Sequence, residues 1–271
     1  MPLKLMFFTN SPRFAQAAEA CQIDFVVIDL EIIGKLERQG HMDSRISYHS
    51  LQDIAPVRAV LHQTPLMVRI NPIHDQTAYE IESALQQGAD ILMLPYFKTL
   101  AEVQTFLSLI KGRAKAYLLL ETKEAEAILD DILVLPGIDA IHIGINDLSL
   151  SKGYSFLFQS LIDDSFTAMC AKIRARGLPF GFGGIAQLGQ GLIPAEKIIA
   201  EHYRLGSTMA IMARSFITLD EDHSLEEIVS DLEEALCPVR EYESSLALQD
   251  SDFFLQNRDQ LQAMIREIID A

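Results

Sequence analysis

The sequence predicts an α/β fold, a (β/α)8 or TIM barrel, followed by extra C-terminal helices. Eight short apolar segments alternate with segments of helical pattern, and 271 residues, 49% of them hydrophobic, are enough for one large barrel. The alternative, a doubly wound open sheet, usually has about five to seven strands and a glycine-rich turn after the first. Here that turn is Thr9-Asn10-Ser11. We therefore predict a single domain over 1–271, with the barrel at about 1–219 and the helices at about 220–271.

The predicted strands are continuous apolar runs, which are typical of parallel strands covered on both faces. They lie at 3–8, 24–30, 66–70, 90–94, 117–120, 140–143, 178–184 and 207–212. Caps mark the ends of the helices between them, as in Ser11-Pro12 before the first helix and the capping box from Thr99 to Glu102. Helices are predicted at 12–21, 50–63, 77–87, 100–110, once between the fifth and sixth strands, and at 163–176, 194–204, 224–246 and 252–270.

The net charge and the cysteine content limit the binding partners and the cellular compartment that we expect for this protein. A formal net charge of −16 disfavours nucleic acid and anionic membranes as partners. No apolar run reaches the roughly 18 residues of a membrane span, and no signal peptide is predicted. The three cysteines, Cys21, Cys170 and Cys237, form no CxxC pair, which favours a reducing compartment. We expect a cytoplasmic protein whose substrate is a small molecule.

Two carboxylates follow neighbouring predicted strands. Tyr117–Leu120 ends on Glu121, and Ala140–Ile143 leads through Gly144 to Asp147. In a parallel βαβ unit these strand ends meet at one edge, where two carboxylates repel unless a cation or a shared proton relieves them. Oxygen ligands with room for waters suit Mg²⁺ or Mn²⁺. We predict that Glu121 and Asp147 hold a divalent metal; alternatively, Glu121 caps the following helix and Asp147 makes a turn.

Arg69 ends the third predicted strand, on the rim where the active sites of barrels lie. A guanidinium there can hold a carboxylate in two-pronged fashion or face a developing enolate. Alternatively it forms a salt bridge with Asp29 or Glu31, after the second strand, that shapes the rim. We interpret the charged strand ends as a ring of acids around a metal with one or two arginines.

Backbone groups and a second arginine at the rim are predicted to bind substrate. Free amides from Gly144 to Asn146, where a helical turn begins, can bind a carboxylate. Gly183-Gly184 and Arg214, after the seventh and eighth strands, occupy the usual phosphate position of barrels.

The segment 32–49 is long for a loop in a barrel and shows no strand pattern. We interpret it as an active-site loop; the alternative is a surface excursion. It carries Lys35, Arg38, Gln39, His41, Arg45 and His49. His41, and after it His49, is the predicted proton carrier, because a histidine titrates near neutral pH. His142, inside the sixth strand, is expected to be a buried core histidine and His202 to be solvated.

Several motifs occur along most of residues 1–215 in the order and at the spacing of a known family. They are FVVIDLE at 25–31, VRIN at 68–71, GADILMLP at 88–95, LLLET at 118–122 and PGIDAIHIGINDLSLSKG at 136–153. Together they resemble the HpcH/HpaI aldolase and citrate lyase family, a branch of the phosphoenolpyruvate/pyruvate barrel enzymes.

The resemblance implies a divalent-metal-dependent (class II) lyase that acts on 2-oxo acids. Glu121 and Asp147 would then hold the metal and Arg69 would stabilise the enolate. The amides around Asn146 would bind the pyruvate carboxylate. The C-terminal helix of such enzymes packs on, or swaps with, a neighbouring subunit, which implies a homo-oligomer.

The sequence departs from the family pattern at the acid/base dyad. The pyruvate aldolases carry a histidine just after the glutamate of the second strand, where this chain has Ile32. The aspartate that pairs with that histidine aligns best with Gln86. The aspartate that the citrate lyase branch carries after DLE is missing too. The loop that follows therefore defines a distinct substrate or mechanism.

Three functions are open from the sequence. The first is a metal-dependent carbon–carbon lyase or aldolase acting on the enolate of a 2-oxo acid, with His41 as proton carrier. The second uses the same site on an acyl-CoA ester or a phosphorylated sugar acid. The third is a non-catalytic protein that binds metal and 2-oxo acid and has lost the dyad.

Overall fold

The computed structural model describes residues 1–35 and 49–271, which contain a closed barrel of eight parallel strands. Each strand pairs with the next, and the eighth pairs with the first. The predicted fold class is confirmed. The strands are β1 Lys4–Phe8, β2 Phe25–Asp29, β3 Leu66–Arg69, β4 Ile91–Leu94, β5 Lys115–Leu120, β6 Ala140–Ile143, β7 Phe180–Ile185 and β8 Met209–Met212.

Helices follow the strands, as predicted, with two local differences. The helices are α1 Pro12–Ala20, α2 Ile54–Val60, α3 Thr77–Gln86, α4 Leu100–Ile110, α5 Lys123–Ala127, α6 Leu129–Leu133, α7 Ile145–Ser151, α8 Asp164–Ala175, α9 Ala195–Leu205, α10 Leu225–Leu246 and α11 Ser251–Asp270. The predicted helix at 50–63 is a 3₁₀ turn, Leu51–Asp53, followed by α2. Pro56 lies in the first turn of α2, where its missing N–H has no helical partner to lose. The single helix predicted between β5 and β6 is divided into α5 and α6.

Alternate residues of the strands point into the barrel and fill it with apolar side chains. The outward residues pack against the helices in a second, larger core. The interior cluster is made of Met6, Phe25, Val27, Met67, Ile91, Met93, Tyr117, Leu119, Ala140 and Met209. Because this interior is packed, a substrate can bind only at the ends of the barrel.

The two C-terminal helices pack on the barrel of their own chain. α10 lies against α1, and α11 lies against α9. Glu243 of α10 is buried, with 2% of its surface exposed, and accepts hydrogen bonds from the Leu3 backbone N–H (2.6 Å), Arg240 Nη1 (2.7 Å) and the Tyr203 hydroxyl (3.2 Å). It therefore ties the C-terminal helix to the residue that precedes β1. The homo-oligomer stays a prediction. None of the described helices has the length and hydropathy needed to cross a membrane.

Removing the Glu243 carboxylate should destabilise the fold. Glu243→Ala leaves the buried Leu3 N–H without its acceptor and removes one of the partners of Arg240, which should lower the free energy of unfolding by about 2–3 kcal/mol. Urea denaturation measures this change. Glu234→Ala, at an exposed position of the same helix, is the matched control and should change stability by less than about 0.5 kcal/mol. Equal stability of the two variants would contradict the role of Glu243.

Candidate functional site

An ion pair between Asp29 and Arg69 joins the ends of β2 and β3. The strand register places the two residues directly opposite each other. Arg69 Nε and Nη2 each donate to one Asp29 oxygen at 2.7 Å, a two-pronged pair. Lys35 Nζ lies 3.0 Å from Asp29 Oδ2 and 3.5 Å from Glu31 Oε2, and Arg69 Nε lies 3.5 Å from the same Glu31 oxygen. The carboxylates of Asp29 and Glu31 and the cations of Lys35 and Arg69 thus form one cluster of ion pairs.

The charges of Asp29 and Arg69 are fixed over a wide pH range. Burial alone would raise the pKa of Asp29, but the charges of Arg69 and Lys35 outweigh burial and hold that pKa well below its usual range. Burial likewise opposes the charge of Arg69, and the Asp29 and Glu31 carboxylates outweigh it, so the pKa of Arg69 is raised. Arg69 is therefore a permanent cation at the rim.

The cluster corrects the interpretation of all rim acids as a ring around a metal. Asp29 and Glu31 are engaged by Arg69 and Lys35, so they are neutralised by protein cations. The salt bridge that was the alternative for Arg69 is present in the structure. Its role toward an enolate stays a prediction.

Glu121 and Asp147 lie at the ends of the paired strands β5 and β6, as predicted from the βαβ unit. Both are buried, with 3% and 7% of their surface exposed. The backbone N–H of Tyr96 donates to Glu121 Oε1 at 2.9 Å. The other oxygen, Oε2, would lie 2.6 Å from a Cβ at Gly144, so the glycine makes room for this carboxylate. Asp147 is in the first turn of α7, which begins directly after Gly144.

The alternative for Glu121, a helix cap, is wrong. The cap of α5 is Thr122, whose hydroxyl accepts from the Ala125 N–H at 3.0 Å. Glu121 instead turns its carboxylate toward the start of α7. In residues 1–35 and 49–271 no three His, Cys, Asp or Glu side chains are grouped as metal ligands. Among the described residues, Glu121 and Asp147 could hold a metal here together with water and substrate, and such oxygen ligands suit Mg²⁺ or Mn²⁺.

A cavity of about 780 Å³ opens at this rim. It brings together Arg69, Asp147 and Arg214, three of the predicted site residues, with Lys35 and His49. Its polar wall consists of Thr9, Asn10, Ser11, Asp29, Lys35, His49, Arg69, Asp147, Arg214 and Glu221. Phe7, Phe14, Ile217 and Leu219 are among its apolar lining residues. The cavity is thus lined by both charged and apolar side chains.

The Gly183-Gly184 pair forms an irregularity in the pairing of β7 with β8. Gly183 has a positive φ of 49°, and a Cβ at Gly184 would lie 3.0 Å from the Ile211 carbonyl oxygen. Packing thus explains both glycines; their binding of substrate, like that of Asn146 in the first turn of α7, stays a prediction.

The structure separates the histidines into different environments. His142 is fully buried inside the barrel, as expected, and its Nε2 lies 3.0 Å from the Gly183 carbonyl oxygen. The expectation for His202 is wrong: it is fully buried, because it occupies the face of α9 that packs on β7 and stacks on Phe182 at 3.7 Å. His41 lies outside the described residues. His49 lies in the cavity wall, which makes it the histidine of the described site.

The structure also shows where Ile32 and Gln86 lie, the two residues at the positions of the family's acid/base dyad. Ile32 is half exposed, and its N–H, with that of Ile33, donates to Asn71 Oδ1 at 2.9 and 3.1 Å. Gln86 lies on the exposed side of α3 and donates to Glu82 at 3.1 Å. The two positions form no pair with each other in the structure. Asn71, itself held by Glu80 at 2.7 Å, instead anchors the chain after β2.

Buried neutral His142 should make the fold sensitive to acid. Burial lowers the pKa of His142 to about 4, whereas an unfolded histidine titrates at about 6.5. Between these pH values the unfolded chain binds a proton that the folded one does not, so stability is lost as the pH falls through this range. His142→Phe should reduce the slope of unfolding free energy against pH by about 1.4 kcal/mol per unit between pH 6.5 and 4.

Urea denaturation at several pH values measures this slope. His62→Gln, which changes an exposed histidine, is the control and should keep the slope of the wild type. A His142→Phe variant as acid-sensitive as the wild type would show that His142 is protonated in the fold.

Solved structures with the same fold are known from several proteins. The chain is similar to an HpcH/HpaI aldolase from Desulfitobacterium hafniense DCB-2 (TM-score 0.61, 14% identity, 78% of this chain and 86% of that one). It is also similar to an HpcH/HpaI aldolase/citrate lyase family protein from Burkholderia cenocepacia J2315 (TM-score 0.60, 15% identity, 88% of this chain and 95% of that one). A third similar structure is that of the citrate synthase SbnG (TM-score 0.54, 17% identity, 90% of this chain and 95% of that one). At such low sequence identities, this structural similarity establishes the fold alone.

The family is shown by the sequence itself. Curated protein sequences give no significant match to this chain. A sequence model of the HpcH/HpaI aldolase/citrate lyase family matches residues 4–176, which include β1 to β6 and both carboxylates Glu121 and Asp147. The match covers more than half of the chain, and the chain therefore belongs to the HpcH/HpaI aldolase/citrate lyase family.

Proposed function

We propose that this protein is a divalent-metal-dependent carbon–carbon lyase of the class II aldolase type, acting on a 2-oxo acid through a pyruvate-type enolate. The family is one of lyase and aldolase enzymes, which supports the reaction class. The observation that carries the proposal is the juxtaposition of buried Glu121 with the Gly144 backbone that leads to Asp147. Arg69 is close enough that the Glu121 charge raises its pKa.

We assign Mg²⁺ or Mn²⁺ to Glu121 and Asp147. Both carboxylates are buried at the ends of the paired strands β5 and β6. Oxygen ligands with room for water and for a chelating substrate suit these two ions.

The residues of the chain have separate roles in this proposal. A bound metal would polarise the carbonyl of the 2-oxo acid and offset the negative charge of the enolate. Arg69 is held by Asp29 through Nε and Nη2, so its charge is oriented without further loss of side-chain freedom when the enolate forms. The Gly144–Asn146 backbone binds the substrate carboxylate. Arg214, on the same cavity, binds an anionic group of the second substrate.

A second candidate keeps the site and changes the substrate. Arg214 is exposed and lines the cavity after β8, a position that suits the phosphate of a sugar acid or of an acyl-CoA ester. The missing dyad at Ile32 and Gln86 is the observation that favours a third, a non-catalytic metal and 2-oxo-acid binder. Pyruvate deuterium exchange, followed by NMR with Mg²⁺, Mn²⁺ or Co²⁺, distinguishes the lyase from the third candidate. Exchange supports the lyase, whereas binding without exchange supports the third candidate.

Removing either carboxylate should abolish divalent metal binding. Glu121→Ala and Asp147→Ala each leave one protein ligand, so Mn²⁺ binding measured by calorimetry should be lost. Gly144→Ala keeps both ligands but adds a Cβ that displaces Glu121 Oε2, and should weaken Mn²⁺ binding by about 10- to 100-fold. Asp131→Ala, an exposed carboxylate on α6, is the control. Unchanged Mn²⁺ affinity in both carboxylate variants, with the fold intact, would disprove the metal site.

Replacing Arg69 should slow the reaction more than it weakens substrate binding. Arg69→Lys keeps the charge but loses the fork that pairs with Asp29. The deuterium exchange rate of pyruvate at saturation should fall by about 100-fold, because the arginine acts mainly on the enolate. Arg113→Lys, an exposed arginine paired with Glu82, should exchange like the wild type. Wild-type exchange in Arg69→Lys would remove Arg69 from the mechanism.

A further inference from the structure

His49 is held in the cavity wall between two anchored segments. Its Nδ1 lies 2.9 Å from the backbone nitrogen of Asp29, the last residue of β2. The next residue, Ser50, donates its N–H and its hydroxyl to Asp53 at 2.6 and 3.0 Å, in a capping box that starts the 3₁₀ turn. Asn10 Nδ2 also reaches Asp53 at 3.4 Å. The imidazole is therefore held by β2, and the backbone that follows it is held by this turn.

The hydrogen bond to Asp29 determines where the ring carries its proton. A backbone N–H can only donate, so Nδ1 of His49 must accept and must carry no hydrogen. A neutral imidazole with a bare Nδ1 carries its hydrogen on Nε2. Protonating Nδ1 would direct its hydrogen at the Asp29 N–H and break the bond. In the part of the chain that the structure describes, Nε2 makes no hydrogen bond.

We propose that His49 is a neutral hydrogen-bond donor of the active site, whose Nε2–H binds a substrate oxygen that gains negative charge in the reaction. The inference rests on the proposed function, since it assigns the residue to that same cavity. His49 shares the cavity wall with Arg69 and Asp147. It is not a general base, because the nitrogen that serves the cavity already carries a proton. It therefore replaces the missing dyad with hydrogen bonding and not with proton transfer.

The surroundings of His49 keep the ring neutral. Burial is the largest influence and lowers its pKa. The carboxylates of Asp29 and Asp53 act in the opposite direction, while the cations Lys35 and Arg69 lower the pKa further. Both oxygens of the Asp29 carboxylate are engaged by Arg69 and Lys35, whose charges offset its own. A neutral donor among charged groups can respond to charge that forms on the substrate.

Two substitutions separate a donor from a base. His49→Gln places an amide NH₂ near the position of Nε2 and keeps a donor without any titratable group. His49→Asn keeps an oxygen near the position of Nδ1 as an acceptor for the Asp29 N–H, but removes the donor. The probe is oxalate, a planar dianion that resembles the enolate of pyruvate, bound in the presence of Mg²⁺ and measured by calorimetry. Oxalate affinity should fall by about 10- to 100-fold in His49→Asn and by less than about threefold in His49→Gln.

The tautomer is measured independently of any ligand. In protein labelled with ¹⁵N-histidine, two-bond ¹H–¹⁵N spectra should show His49 as the Nε2–H tautomer at pH 7. Its signals are those that the His49→Gln spectrum lacks, and His62→Gln serves as the assignment control. An imidazolium or an Nδ1–H tautomer of His49 at pH 7 would overturn the inference. So would equal loss of oxalate affinity in the two variants.

These outcomes distinguish failure of the inference from failure of the proposed function. Absence of pyruvate exchange in the wild type, with oxalate binding lost in His49→Asn and kept in His49→Gln, rejects the lyase but supports the donor. Exchange in the wild type with a protonated His49 supports the lyase and rejects the donor.

Discussion

The rim of this barrel depends on one carboxylate, that of Asp29. Its two oxygens accept hydrogen bonds from Arg69 and Lys35, and its backbone N–H donates to His49. One residue therefore positions three side chains that come from β3 and from either side of the segment 36–48. Breaking a buried ion pair costs about 3–5 kcal/mol because it leaves a charge uncompensated. Apolar residues in the same places stabilise a fold equally well, so the pair is better explained by function than by stability.

The features predicted from the sequence are those that depend on local pattern or on chain topology. The strands were recognisable because both of their faces are buried, which makes them continuous apolar runs. The proximity of Glu121 and Asp147 follows from the βαβ connection, which places consecutive parallel strands side by side. Neither inference requires knowledge of how any loop is folded.

The features that the sequence did not predict depend on tertiary contacts, that is, on which side chains and backbone groups pack against each other in the folded chain. His202 is buried because Phe182 points outward from β7 and stacks on it, a contact between residues 20 positions apart in the sequence. The pairing of Lys35 with Asp29 depends on the path of the chain after β2, which Asn71 fixes by accepting two backbone N–H groups. The role of His49 depends on a hydrogen bond from the backbone N–H of Asp29. Almost every residue has such a backbone donor, so the sequence does not show which one a side chain will bind. Polar side chains in loops are therefore the least predictable part of such a site.

The way the barrel closes has a consequence for its synthesis. One edge of β1 pairs with β8, Lys4 opposite Met209, and the Leu3 N–H is bound by Glu243, 240 positions later. At about 5–20 residues per second, translation leaves β1 without these partners for roughly 10–40 seconds. An unpaired apolar strand edge is prone to aggregate during this time. The nascent chain therefore has to remain incompletely folded, or shielded by chaperones, until the eighth strand and α10 have emerged from the ribosome.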